Sequence, residues 1–257
     1  MQGKTRKLHF KDLKAGDVLL CRGKGIISEL VELFDGGTYS HAAIFDGEKV
    51  VQATLHGVVI ESIDTLKDEI FVDVYRFKKD GHTLNSPGWP SAPVVAVADR
   101  IGSEGLKYAT DHLLLLALLT LTRKIPLEPL EKKILRVILD HAANYIFELM
   151  DKGKEPMVCS EVVFRAFKEA APDDRYTLII EGVLFNAFRS IEPGSFPEDE
   201  LGQAQKRFLQ AWTRAKYGIN DLPDRMEVID PAVASCVTPH DLETSPTLFK
   251  VGRYVFS

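Results

Sequence analysis

Cysteine is scarce in this chain: the three present, Cys21, Cys159 and Cys236, are odd in number and show no CxxC spacing. That excludes a disulfide framework and a zinc ribbon, and leaves at least one thiol free. An excess of either charge is lacking as well. Thirty-two Lys and Arg stand against 37 Asp and Glu, a net charge of -5, with no basic stripe interleaved with aromatics. A nucleic-acid partner therefore has no electrostatic footprint. No HxxxH pair or carboxylate cluster has metal-ligand spacing, so neither a metal nor a cofactor is expected. The longest apolar run, LLLLALLTL from Leu113 to Leu121, is about half of the roughly 20 residues that a membrane-spanning helix needs. It reads as a buried helix or as one resting on a greasy surface. The first residues, MQGKTRKLHFKDLKAGD, are basic with no apolar segment behind them, which leads to the expectation of a cytoplasmic protein without a secretory leader.

What is present is an ordinary globular composition, 45% hydrophobic and 27% charged over 257 residues, enough to bury a substantial core. One elaborated domain over 1–257 is expected. The first part reads as β. In LKAGDVLLCRG, Asp17 caps a turn ahead of an apolar strand, and HAAIFDGEKVVQAT is two short apolar runs joined by Asp46-Gly47-Glu48-Lys49, a hairpin signal. GVVIESI and EIFVDVYRF follow, and four or five strands in series imply an antiparallel sheet. GIISELVELF interrupts them with Ile26, Ile27, Leu30, Val31 and Phe34 at helical spacing.

After the Pro- and Gly-containing loop GHTLNSPGWPSAP, the chain from Val94 to Met150 reads as helical. Ile134, Val137, Ile138, Ala142, Tyr145 and Ile146 form one apolar face of its second half. This stretch, about 94–150, is taken as an inserted helical hairpin. KEPMVCSEVVFRAFKEAA is a loop feeding an amphipathic helix. FPEDELGQAQKRFLQAWTRAKYG is another, with Glu198, Asp199 and Glu200 where the helix dipole favours negative charge. CVTPHDLETSPTLFKVGRYVF closes the chain with a Thr-Pro turn, a helical turn and a strand. The expected class is α+β, an antiparallel sheet packed against helices.

Cys159 stands directly before SEVVFRAFKEA, which places its sulfur at a helix N-terminus. Unpaired N–H groups and the dipole there favour thiolate, so a pKa below the usual value of about 8.5 is expected. Glu161 suits the first turn as a cap. By type alone a free cysteine is more often a small buried hydrophobe, and position does not reverse that. His41 opens a strand whose hairpin partner carries Gln52. If Val50 and Gln52 share a face, the amide can hold one ring nitrogen and leave the other for a thiol. A strand-edge histidine bonded to backbone is the plainer reading. His56 fits a turn, His112 and His141 fit helix surfaces, and Cys21 and Cys236 read as structural.

GDVLL, YSHAAIFDG...VVQA, VCSEVVFRAF and the terminal TPHDL together resemble the circularly permuted papain-like superfamily. Within it they look like the permuted NlpC/P60 group, YiiX-like branch, which is related to lecithin:retinol acyltransferase-like proteins. The resemblance spans roughly Lys14 to Phe77, Met157 to Phe167 and about the last twenty residues; it does not cover the Val94 to Met150 helices or the Phe196 to Gly218 segment. It implies a permuted papain-like fold, with Cys159 as nucleophile, His41 as base and Gln52 as the orienting polar residue. Tyr108 and Ser160 are candidates for contact with substrate or oxyanion. The third position in this superfamily is often Glu or His. Gln52 can orient an imidazole but cannot stabilise its cation by charge.

The function expected on these grounds is a cysteine hydrolase acting on an amide or ester carbonyl through a Cys159 thioester, with His41 as base. The backbone N–H of Cys159 would be a first oxyanion donor. Two other readings stand beside it. One is a lipid acyltransferase or phospholipase using the same Cys-His pair, with the apolar helices covering an acyl tunnel. The other is a non-catalytic binding module with a decayed groove. The expected partner is a small-molecule, peptide or lipid acyl substrate, with peripheral membrane contact through Leu113 to Leu121.

Overall fold

The computed structural model describes residues 5–54, 57–104, 108–109, 112–122, 126–226 and 233–256, with backbone alone at 108–109 and 112–113. His56 lies outside the described residues. Ten strands form among them: β1 (Lys7–Leu8), β2 (Val18–Arg22), β3 (His41–Phe45), β4 (Val50–Thr54), β5 (Gly57–Glu61), β6 (Phe71–Lys79), β7 (His82–Thr83), β8 (Tyr108–Ala109), β9 (Glu155–Pro156) and β10 (Leu248–Tyr254). The main sheet runs β1-β10-β6-β2-β3-β4-β5, with β7 on β6, and β8 pairs separately with β9.

Neighbours in the main sheet are antiparallel except β1 and β10, which are parallel. The sheet is therefore mixed, where strands in series had suggested an antiparallel one. The exception joins the two ends of the chain, and no short hairpin dictates the relative direction of strands so far apart in sequence.

Alternation sorts the side chains to two faces. Leu19, Cys21, Ala43, Phe45, Val50, Val72 and Val74 form one cluster with Ile63 and Leu66. Leu20, Ala42, Ile44, Val51, Ala53, Tyr75 and Phe77 face the helices. The β3–β4 hairpin closes as expected from its turn residues, because the Asp46 carboxylate accepts the N–H groups of Glu48 (2.7 Å) and Lys49 (2.6 Å). Asp17 does more than cap its turn. Besides accepting from the N–H of Lys14 at 2.8 Å, it takes two 2.7 Å hydrogen bonds from the Arg76 guanidinium on β6.

Eight α-helices are described: α1 (Ile26–Asp35), α2 (Ala92–Ser103), α3 (His112–Thr122), α4 (Pro129–Asp151), α5 (Cys159–Lys168), α6 (Val183–Arg189), α7 (Glu200–Tyr217) and α8 (Pro239–Thr244). α5 lies on β3 and β4, and α2 covers α5, β4 and β5. α3 is enclosed by α1, α4, α6 and α7, and Leu114 to Leu119 are buried all round, as a helix with no polar face must be. Those leucines are core, not surface. No described helix is long and apolar enough to cross a membrane.

The 94–150 stretch is not continuous helix, since β8 interrupts it by pairing in parallel with β9. Tyr108 accordingly sits on a strand rather than a helix. On α4 the buried residues are Leu135, Ile138, Leu139, Ala142, Ala143, Ile146 and Leu149, while Val137, expected on the buried face, is 47% exposed. α4 packs on both α3 and α7, so its buried arc is centred between them rather than on the stripe with the most β-branched residues.

Candidate active site

α5 begins on Cys159 after an extended Val158 whose side chain makes no cap, so the first N–H groups of this helix find no side-chain acceptor in the usual capping position. Val162, Val163, Ala166 and Phe167 are fully buried and seat the helix on the sheet. The loop entering β3 is pinned separately. Ser40 Oγ accepts the N–H of Gly23 at 2.9 Å, and the Tyr39 hydroxyl donates at 2.9 Å to Asp73. Asp73, fully buried on β6, also takes hydrogen bonds from Lys250 (2.7 Å) and Arg253 (2.8 and 2.9 Å) on β10.

These two supports converge. The backbone N–H groups of Ala42, Ser160 and Cys159 lie near enough to the Cys159 sulfur to draw its pKa down. The sulfur thus lies against the residue that follows His41. His41 Nε2 and Gln52 Oε1 are 2.9 Å apart and both residues are buried. The register pairs Ala43 with Gln52, so His41 and Gln52 meet on the diagonal of one sheet face. The structure bonds His41 to Gln52 across β3 and β4, and places Cys159 at the start of α5 beside Ala42, the residue after His41.

The charge state of Cys159 differs from expectation. Burial pushes its pKa up to about 11; the N–H groups of Ala42, Ser160 and Cys159 draw it down, and the Asp35 charge adds to the rise. With the residue only 6% exposed, desolvation of the anion outweighs the favourable helix end. Burial likewise pushes Cys236 to about 12 and Cys21 well above the ordinary thiol range.

Other expected contributors fall elsewhere. The Ser160 hydroxyl is fully buried and donates to the carbonyl of Val237 at 2.6 Å, so it ties α5 to the segment before α8, and only its backbone N–H faces the sulfur. Glu161 does not cap the helix. It forms a buried ion pair with Lys216 at 3.1 Å, and Lys216 also reaches Glu155 at 3.3 Å. The side chain of Tyr108 lies outside what is described.

The TPHDL motif has a positional role. Thr238 and Asp241 cap α8 reciprocally, and His240 packs on Gly37, where an added Cβ would come within 2.8 Å of the His240 Cβ. The N–H of His240 donates at 2.9 Å to Asp35, whose pKa burial raises to about 6. α8 therefore holds the end of α1 and the loop that delivers His41.

Two polar residues that the sequence does not single out complete the cluster. The amide nitrogen of Gln52 donates to Glu61 Oε2 at 3.3 Å and to Thr65 Oγ1 at 3.1 Å. The signal available was a carboxylate at the end of the strand GVVIE, on the same alternation as Val59, the register partner of Gln52.

A cavity of about 890 Å³ lies among α1, α3, α4, α6 and α7, with Phe34, Leu121, Leu127, Leu135, Phe196 and Leu201 in its wall. Its lining does not include Cys159, His41 or Gln52. Among the described residues no three His, Cys, Asp or Glu side chains gather as a metal site.

Comparison with known proteins finds no matching family model and no matching curated protein. Among solved structures, the metalloprotein YiiX from Escherichia coli O157:H7 is similar at a TM-score of 0.43 and 13% identity, covering 93% of this chain and 97% of that one. The chain is an α+β protein whose mixed sheet packs against helices.

Proposed function

We propose that the protein is a cysteine hydrolase of permuted papain-like architecture. It cleaves an amide or ester carbonyl through a thioester on Cys159, with His41 as base and Gln52 orienting the ring. One observation carries this reading: the His41 ring is bonded to Gln52 at 2.9 Å, and the N–H of the next residue, Ala42, is among the groups acting on the Cys159 sulfur. These contacts support a reading in which a nucleophile, a base and an orienting group act together in acyl transfer.

Because burial keeps Cys159 as a thiol, attack proceeds with transfer of its proton to His41 as the sulfur–carbon bond forms. It does not start from a standing thiolate. The N–H groups of Ala42 and Ser160 stabilise the negative charge that develops on sulfur, and the N–H of Cys159 at the helix start supplies an oxyanion donor. His41 then gives its proton to the leaving group, and water admitted to the site releases the acid and restores the thiol.

A lipid acyltransferase or phospholipase on the same pair draws support from the cavity of mixed polar and apolar lining, whose wall includes Phe34, next to the Asp35 whose charge is among the groups raising the Cys159 pKa. Its volume is within the range of small-molecule sites.

Turnover of p-nitrophenyl acetate tests the reaction, and the same ester series extended to longer acyl chains separates the substrate classes. Release of p-nitrophenol should be lost in Cys159→Ala and in His41→Ala. Equal rates in the wild type and both variants would overturn the proposal.

A further inference from the structure

The hydrogen bonds behind His41 have a direction, and it can be traced from the far end. Ser62 caps a 3₁₀ turn over Ile63–Leu66, anchored by the buried side chains of Ile63 and Leu66. In that turn the Thr65 hydroxyl donates its single proton to the carbonyl of Ser62 at 2.8 Å. The oxygen of Thr65 can then only accept, so the group of Gln52 that faces it at 3.1 Å must be the NH₂. The Glu61 carboxylate, 3.3 Å from the same nitrogen, imposes the same requirement independently, since a carboxylate has no proton to give. With the NH₂ committed to those acceptors, the carbonyl oxygen of Gln52 points at His41 Nε2, 2.9 Å away.

We infer that Glu61 and Thr65 are positioning residues that fix the amide of Gln52 and thereby hold His41 with its proton on Nε2, so that Nδ1 is the basic nitrogen presented to the Cys159 thiol. The inference rests on the cysteine-hydrolase reading for its catalytic consequence, but the proton placement stands or falls by itself. A carboxamide alone does not specify the tautomer, because with the amide reversed its NH₂ would face the ring and Nε2 would have to accept. Two acceptors on the far side remove that ambiguity. The Glu61 carboxylate also places behind the amide the negative charge that Gln52 lacks. That charge polarises the amide toward the ring, so it favours the cation formed when His41 takes the thiol proton.

The test is ¹⁵N–¹H correlation spectroscopy of the His41 ring in the full chain, combined with ester turnover. Wild-type protein should show His41 protonated on Nε2 alone. The double variant Glu61→Ala/Thr65→Val should show a mixture of tautomers and lose about 10²-fold in kcat, at the low end of what general acid–base catalysis supplies. Its KM should change less than about twofold, as expected when only proton transfer is impaired. Thr65→Ser, which keeps the hydroxyl, should behave as wild type. A wild-type ring protonated on Nδ1, or a double variant that keeps pure Nε2–H with unchanged kcat, would overturn the inference. A cooperative thermal melt of each variant separates these outcomes from unfolding. A chain without ester turnover would still report the tautomer, so failure of the hydrolase reading is distinguishable from failure of this one.

Discussion

Asparagine in place of Asp35 removes a charge that the fold holds at a cost. Asp35 ends α1 with 4% of its surface exposed, and it accepts a hydrogen bond from the N–H of His240. Burial raises its pKa from 3.8 to about 6, against the pull of the His240 and Thr238 hydrogen bonds. The unfolded chain therefore releases this proton before the folded one does. Stability falls as the pH rises from about 4 through about 6 and is then flat, since the carboxyl is ionised in both states. At about 1.4 kcal/mol per pKa unit the loss amounts to about 3 kcal/mol.

A side-chain amide at this position cannot ionise, so the stability difference between Asp35→Asn and wild type should shift in favour of the variant by about 3 kcal/mol between pH 4 and pH 8. Any change in packing or hydrogen bonding caused by the amide adds a constant that does not move with pH. Urea melts of both proteins at half-unit intervals of pH give the curve. The same substitution should lower the Cys159 pKa, because the Asp35 charge is one of the groups raising it, and faster alkylation of Cys159 at pH 8 would report that. A difference that stays constant from pH 4 to pH 8, or that turns against the variant as pH rises, would refute the picture of a buried, destabilised carboxylate.

Asp73 behaves oppositely. Burial pushes its pKa upward, but hydrogen bonds from Arg253, Lys250 and Tyr39 outweigh burial and hold it below the ordinary value. Its contribution is present above about pH 4 and lost as the pH falls through the folded value. Asp73→Ala should cost about 3 kcal/mol at pH 7 in urea melts, by leaving a buried Tyr39 hydroxyl and two cations without their acceptor, and the deficit should shrink in acid. For Cys159, iodoacetamide labelling followed by peptide mass mapping should rise about tenfold per pH unit from pH 7 to beyond pH 9, without a plateau, as a high thiol pKa requires. At equal access Cys159 should label no more slowly than Cys236, whose thiol pKa burial raises to about 12. A plateau near pH 8 would show a standing thiolate and overturn the thiol-first mechanism.

Features set by local chemistry were legible in the sequence. The Asp46 turn, the alternation through β3 and β4, and the helix starting at Cys159 all follow from short-range residue preferences. The meeting of His41 with Gln52 needed only that alternation and a tight hairpin. What long-range packing decides was not legible. The parallel pairing of β1 with β10, the β8–β9 pair within a stretch that reads as helix, and the exposure of Val137 depend on neighbours distant in sequence. The sulfur was placed at a helix end from the sequence, but the sign of its pKa shift turned on depth of burial, which no local pattern reveals. Ser160 is a candidate for substrate or oxyanion contact from its sequence context, whereas its hydroxyl is committed to Val237. Glu61 and Thr65 are not legible from local sequence, because a carboxylate at a strand end and a threonine in a turn are ordinary surface residues, and only their contact with Gln52 sets them apart.

The central claim is that Cys159 and His41 act as one unit. Intact-mass and peptide-mass analysis after rapid quenching of the reaction with p-nitrophenyl acetate tests it most directly. The account predicts an acetyl increment on the peptide containing Cys159, absent in Cys159→Ala and strongly reduced in His41→Ala. Acetylation that spares Cys159, or that reaches it equally in His41→Ala, would contradict the account.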